Sequence, residues 1–363
     1  MNRLEAYREM VPQGTIEFLR SLAKKIEGKK ILEINSTKEG GGVAEILRSL
    51  VPLFGEVGLE CRWEVITGTE DFFNVTKAFH NALQGSEVTV PPDRLKTYLE
   101  VNRENAERLI FDADYVIIHD PQPAALIHNR QPGAKWIWRC HIDVSNPQAR
   151  VWNFLRQFVA QYDTAIFSLP RFARKLAIPQ ILIYPSIDPL SDKNRELSSS
   201  EYAGILQKLR IPLDKPILLQ VSRFDRFKDP LGVIRAYRLV KKHHDVRLIL
   251  AGGSATDDPE GSIVLNEVME AAQNDPDILV LMLPPDAHLE INALQRAATI
   301  VLQKSLKEGF GLTVTEAMWK GKPVIGGVAG GITAQLVYGV TGFTVYSVEG
   351  AALGIHALLD NPE

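Results

Sequence analysis

The residues most able to do chemistry sit where glycines meet predicted helix starts. Lys307 to Lys322 reads KEGFGLTVTEAMWKGK, with Gly309 and Gly311 flanking Phe310 ahead of a helix predicted from Leu312. First-turn amides have no intrahelical acceptor and carry partial positive charge, so this junction can hold an anion. Glu308 falls in the loop and Glu316 about one turn into the helix, so both carboxylates are expected at the ligand end. A carboxylate accepts from two vicinal hydroxyls at once, as on a ribose or a pyranose. Two glutamates near a helix start serve equally well as partners of its dipole, and that reading stays open.

Upstream, the run SRFDRFKDP follows a predicted strand ending at Val221, which puts Arg223, Arg226 and Lys228 in a loop at a strand's carboxyl end. A guanidinium fork and a nearby ammonium suit a diphosphate leaving group, whose charge grows as its bond to carbon breaks. A solvated turn is the alternative. Nearer the N-terminus, a strand at Lys30 to Ile34 runs into NSTKEGGGVAE, where Gly40, Gly41 and Gly42 precede a helix starting near Val43. Such glycines let backbone amides approach a phosphate or sugar hydroxyl closely. The spacing is neither GxGxxG nor GxxxxGK[ST], which argues against a dinucleotide oxidoreductase and a P-loop NTPase.

The elements that must position these residues alternate. β-rich runs at Lys30 to Ile34, Cys61 to Ile66, Tyr115 to His119, Trp136 to Cys140, Thr164 to Phe167 and Ile181 to Tyr184 follow an amphipathic helix near Thr15 to Ile26. A second series begins with a strand at Ile217 to Val221 and ends with a helix at Val348 to Leu359. Alternation of this kind means parallel sheets covered on both faces. At 363 residues, two domains are expected. The boundaries predicted are an N-terminal domain over 1–185, a linker over 186–215 and a C-terminal domain over 216–363. The linker is placed on Pro185, Pro189, the polar run SDKNRELSSS and Pro212. Ligands of doubly wound sheets bind beyond the strands' carboxyl ends, so two such domains are expected to face each other across a cleft.

Composition narrows the partners. With 41 basic and 44 acidic residues the net charge is −3, so no global positive field gathers nucleic acid or an anionic membrane. Cys61 and Cys140 are the only cysteines, too few for a disulfide scaffold and without zinc-site spacing. A reducing cytoplasm is expected, with no metal site in the protein. The first residues lack an apolar signal core, and no aliphatic run approaches a bilayer span.

The E-x7-E spacing of Glu308 and Glu316, followed by Gly330 to Ile332 (GGI) and Thr341 to Phe343 (TGF), resembles the signature of GT-B retaining glycosyltransferases of family 4. The likeness extends to the GGG and SRFDRFKD loops and to PSIDPL at Pro185 to Leu190, and so covers most of the chain. Within that family, Phe72 to Gly85, His119 to Leu126 (HDPQPAAL) and Trp138 to Ser145 (WRCHIDVS) are similar to the glycosyltransferring trehalose synthases.

The resemblance implies an α/β GT-B fold of two Rossmann-like doubly wound domains. It implies reversible transfer of glucose, with retention, from UDP- or ADP-glucose to the anomeric hydroxyl of free glucose, giving α,α-trehalose. It assigns Arg223 and Lys228 to the donor diphosphate, Glu308 to hydroxyls of the donor glucose and Glu316 to the ribose. The amides of Gly311, Leu312 and Thr313 would meet the distal phosphate, and Gly41 and Gly42 would approach the phosphates or sugar from the other domain. His141 matches a histidine set beside the reacting sugar, while Asp120 and Gln122 are implied as acceptor ligands. No tightly bound cofactor is implied. A divalent cation and a homodimer are compatible with the family. The chain departs from the family pattern by stopping at Glu363, where a helix crossing back to the first domain is expected and looks to be missing. The rivals are a family 4 glucosyltransferase with another acceptor, a GT-B sugar-nucleotide epimerase and a noncatalytic nucleotide-sugar sensor.

Overall fold

The computed structural model describes residues 3–39, 41–253 and 261–361. Gly40, part of the triple-glycine run, lies outside them. The chain forms two units, Met1–Pro185 and Ser186–Glu363.

The first unit holds helix α1 (Thr15–Ala23), strand β1 (Lys30–Asn35), α2 (Gly42–Glu56), β2 (Glu60–Val65), α3 (Glu70–Leu83), α4 (Pro92–Arg108) and β3 (Tyr115–His119). It continues with β4 (Lys135–Cys140), α5 (Ala149–Val159), β5 (Thr164–Phe167) and β6 (Gln180–Leu182). All six strands pair in parallel, in the order β2-β1-β3-β4-β5-β6. A parallel strand covered on both faces reads as continuous apolar sequence, and β1 is buried from Ile31 to Asn35. The expected N-terminal helix ends as an α-helix at Ala23, with a 3₁₀ turn over Lys24–Ile26.

Hydrophobic periodicity did not disclose α4, and its sequence explains why. The buried face presents Tyr98, Val101, Asn102, Asn105 and Ala106, so polar residues stand where an apolar stripe is normally read. Their amide nitrogens are satisfied: Asn105 Nδ2 donates to the Thr67 carbonyl at 2.7 Å and Asn102 Nδ2 to that of Tyr98 at 2.9 Å.

The second unit begins with α6 (Ser199–Lys208), β7 (Ile217–Val221), α7 (Pro230–Val240), β8 (Arg247–Gly252), α8 (Gly261–Ala272), β9 (Ile278–Met282), α9 (His288–Ala297) and β10 (Ile300–Gln303). It ends with α10 (Leu312–Trp319), β11 (Val324–Gly327), α11 (Ile332–Gln335), β12 (Gly342–Val345) and α12 (Val348–Asp360). Its strands are also all parallel, in the order β12-β11-β10-β7-β8-β9. Counted within the unit this is the Rossmann order.

The stretch expected as a linker, 186–215, is instead built into this unit. Ser198 caps α6, accepting from the Glu201 amide at 3.2 Å while the Glu201 carboxylate accepts from the Ser198 amide at 2.9 Å. Asn292 of α9 donates to the carbonyls of Asp192 and Arg195, both at 2.8 Å. The prolines and polar residues that suggested a linker are turn and capping residues of a packed segment.

In each sheet the chain reverses its direction of strand addition once, between β1 and β3 in the first unit and between β7 and β10 in the second. Loops leaving the carboxyl ends of such a pair diverge and open a crevice. All of the site residues expected from sequence, except His141, lie in the loop after one of these strands or in the helix that the loop leads into.

Candidate functional site

In the second unit the loops after β7 and β10 are tied to each other. The Leu306 amide donates to the Phe227 carbonyl at 2.7 Å, and Gln220 Nε2 on β7 to the Lys228 carbonyl at 2.8 Å. This brings Lys228 Nζ to 2.6 Å from Glu308 Oε2, although 80 positions separate them. Gln303 Nε2 and Ser305 Oγ, each at 3.1 Å, converge on the same oxygen. An ammonium and a carboxylate held together beside a helix start can serve the phosphate and the hydroxyls of one ligand. Asp229, the next residue, has φ +50° and caps α7 through the Gly232 amide at 3.0 Å, while its other oxygen pairs with Lys304. Arg223 is half-buried in the same loop. Arg226 points elsewhere, onto Glu267 of α8 at 2.8 and 3.0 Å.

The turn into α10 needs its glycines. Gly311 at the N-cap has φ +87°, and a Cβ on Gly330 would lie 1.5 Å from the Glu308 carbonyl oxygen. Gln335 Nε2 donates to the Phe310 carbonyl at 2.7 Å, and Thr313 Oγ1 to that of Val221 at 3.2 Å, fixing the helix start over the end of β7. Gly311 has no side chain to cap the first turn, so no capping side chain competes there for the amides of Leu312 and Thr313.

Glu316 departs from expectation. It is 1% exposed, with Lys193 Nζ 2.9 Å from Oε1 and Gln295 Nε2 donating to Oε2 at 2.7 Å. Its position in α10 turns it into the unit, toward α9 and the 186–215 segment, and not to an open ligand end. Burial pushes its carboxyl up, but Lys193, Gln295 and Lys320 outweigh this and hold it below the ordinary carboxylate value. A ribose would reach it only by displacing one of these partners or sharing an oxygen with it.

In the first unit, Gly41 caps α2 with φ +139°, a conformation that favours glycine, and Gly42 opens the helix. Asp120, just past β3, also has a positive φ, 64°. Its Oδ1 accepts from the His141 amide at 2.7 Å, and its carbonyl accepts from Trp138 Nε1 at 2.9 Å. Helix α4 supports the loop from beneath: Tyr98 Oη donates to the Pro121 carbonyl at 2.8 Å and Asn102 Nδ2 to that of Gln122 at 3.1 Å. The side-chain oxygen of Gln122 is buried without a partner among the described residues.

Sequence reasoning missed two groups here. Glu33, 1% exposed on β1, has Oε2 2.7 Å from His119 Nε2, and His119 Nδ1 lies 2.9 Å from His141 Nε2. A carboxylate inside the aliphatic run KILEIN was the available signal. Burial, together with His119 and Arg139, holds His141 well below the ordinary histidine value. Lys193 and Gln295 were missed for a different reason, since neither belongs to a motif.

The structure thus brings Lys228 to Glu308 and Asp120 to His141, each within its own unit. Among the described residues, no cluster of His, Cys, Asp or Glu is arranged to hold a metal ion, and no helix is long and apolar enough to cross a membrane. Cys61 and Cys140 are free thiols, and burial pushes that of Cys61 up to about 12.

Two parallel doubly wound units, one with a cation and a carboxylate paired at its switch point, define a GT-B glycosyltransferase. A solved α,α-trehalose-phosphate synthase (UDP-forming) from Burkholderia xenovorans shares this fold, with a TM-score of 0.73 over 92% of this chain and 93% of that one, at 14% identity. Residues 33–174 match the family described as trehalose synthase, N-terminal domain, and 203–363 match glycosyl transferases group 1. The chain is 48% identical to the trehalose synthase of Thermococcus litoralis, over 96% of this chain and 86% of that one. It is 47% identical to that of Pyrococcus horikoshii, over 99% and 88%. The chain belongs to the trehalose synthase family.

Proposed function

We propose that this protein forms α,α-trehalose by moving glucose from a nucleoside diphosphate glucose, UDP- or ADP-linked, to the anomeric hydroxyl of free glucose. The observation that carries the reading is the Lys228–Glu308 pair beside the α10 start in a chain of this family. Lys228 and Arg223 neutralise the leaving diphosphate, helped by the amides of Gly311, Leu312 and Thr313, while Glu308 accepts from donor glucose hydroxyls. Asp120 and Gln122 bind the acceptor, His141 lies beside the reacting sugar, and Gly41 and Gly42 approach the donor.

The C1–O bond to the diphosphate breaks as the acceptor oxygen bonds to C1 on the same face, and the acceptor proton passes to a diphosphate oxygen. No carboxylate acts as a covalent nucleophile, in contrast to retaining glycosidases. The reaction runs in both directions, and the two free thiols fit a reducing cytoplasm.

The test is product analysis with UDP- or ADP-glucose and carbon-13 glucose. A disaccharide with both anomeric carbons α and one ring labelled supports the reading. An altered donor sugar with no disaccharide indicates epimerisation, transfer only to another acceptor indicates a different glucosyltransferase, and tight binding without turnover indicates a sensor. Any of these three overturns it.

A further inference from the structure

Glu33 and His119 lie on the neighbouring strands β1 and β3, on one face of the first sheet, and His141 lies just past the end of the next strand, β4. Glu33 is in register with Ile117, and His119 with Arg139. Residues two apart on a strand share a face, so Glu33 shares its face with His119, and Arg139 leads on to His141 just past the end of β4. The three side chains form a hydrogen-bonded line from a buried carboxylate to a ring that is only partly buried, at 2.7 and 2.9 Å. The two rings lie within 17° of parallel, with centroids 5.2 Å apart.

The chemistry of this line permits one arrangement for two neutral rings. An ionised carboxylate only accepts, so His119 carries its hydrogen on Nε2, and its Nδ1 is then an acceptor. His141 must therefore donate from Nε2, which leaves its Nδ1 as a lone pair on the side away from His119. Asp120 fixes the same residue from the backbone, its Oδ1 accepting from the His141 amide at 2.7 Å. The other charged groups around the line are the Arg139 guanidinium, on the same face, and the Asp120 carboxylate.

We propose that Glu33 and His119 are positioning residues that lock His141 in the tautomer with hydrogen on Nε2, so that Nδ1 accepts a hydrogen bond from a hydroxyl of the bound sugar. This rests on the reading that His141 sits beside the reacting sugar. A buried glutamate in a strand is expensive, and here it orients a histidine whose donor and acceptor atoms would otherwise interchange. Removing an outer partner of a ligating histidine costs about 10- to 100-fold in function in metal sites, and the lower end is expected for Glu33→Gln, which keeps the shape and one acceptor.

The experiment pairs long-range proton–nitrogen NMR of histidine-labelled protein with kinetics using UDP-glucose, ADP-glucose and glucose. The His141 signal, assigned by its loss in His141→Ala, is expected as the Nε2–H form in the wild type and as a mixture in Glu33→Gln and in His119→Asn. Turnover should fall about 10-fold in Glu33→Gln with the Michaelis constant for the donor little changed, and Glu33→Gln should cost nothing further in a His141→Ala background. An Nδ1–H signal in the wild type overturns the proposal, as does an unchanged tautomer in both variants, or a Glu33→Gln loss that persists without His141. If no disaccharide forms at all, the functional reading fails while the tautomer measurement still decides the relay, and the wild-type spectrum does so even where a variant fails to fold.

Discussion

Removing the ammonium that neutralises Glu316 should weaken the second unit sharply. In Lys193→Met a side chain that is 10% exposed is replaced by an apolar one of comparable length, and Glu316 loses the cation 2.9 Å from Oε1. Deleting one partner of a buried pair costs about 3–5 kcal/mol, because the other charge stays buried. Two features place this site at the lower end. Gln295 still donates to Oε2 at 2.7 Å. Lys320, which burial pushes down to about 8 with Arg296 and Lys193 adding to the effect, holds its charge more firmly beside Glu316 when the repulsion from Lys193 is gone. The expected loss is about 3 kcal/mol at pH 7.5. It can be read from urea denaturation followed by Trp319 fluorescence, since the other four tryptophans lie in the first unit.

The pH dependence separates this cause from general damage. In the wild type the folded Glu316 pKa is depressed, so the pair's contribution is complete above the unfolded value, about 4.3, and is lost as pH falls through the folded one. Without Lys193, burial dominates and raises the folded pKa above the unfolded one. The penalty in the variant therefore shrinks as pH falls through that raised value toward about 4.3. Lys193→Met combined with Glu316→Gln should recover most of the loss, because no charge is then left buried. A loss below about 1 kcal/mol at pH 7.5, the size of an exposed pair, or an equal loss at pH 5 with no recovery in the double variant, would refute the reasoning.

Three further outcomes are expected. Lys228→Ala should lower turnover about 10²-fold, as for other preorganised charge stabilisers, and near-normal turnover would remove it from the mechanism. Gly330→Ala must displace the Glu308 carbonyl, which would lie 1.5 Å from the new Cβ, and forces a residue with φ +42° to carry a side chain. A shift of about 1 Å in the loop that holds Glu308 should cost about 10²-fold in turnover, so an unimpaired variant would show that this loop does not position the reaction. Burial depresses Lys320 to about 8, so it opposes folding below that pH, and the opposition fades as pH rises toward its unfolded value, about 10.4. Stability measured from pH 7 to 10 should accordingly rise relative to Lys320→Met, and parallel profiles would contradict this.

Much of the molecule is legible in local sequence. Strand and helix alternation follows from apolar runs and their period, and the junctions at Gly41 and Gly311 from the need for a backbone that other residues rarely adopt. Strand ends were read within a residue or two because aliphatic runs stop where burial stops. Helix α4 escaped because the side-chain amides of its buried asparagines donate to carbonyls, which no hydropathy pattern registers. The 186–215 segment escaped because prolines and serines have the same composition in a linker as in a capped helix.

Which side chains meet was beyond reach in the residue pattern. Lys228 finds Glu308 across 80 positions, and Glu33 finds His119 across 86, because β7 lies beside β10 and β1 beside β3. Lys193 turns Glu316 into a buried ion pair only because α10 and the 186–215 segment pack in one unit. A residue's type and its neighbours in sequence state what it can donate or accept. Strand order and register state to whom, and those are properties of the whole sheet, since each strand takes its place through hydrogen bonds and burial shared with partners distant in the chain.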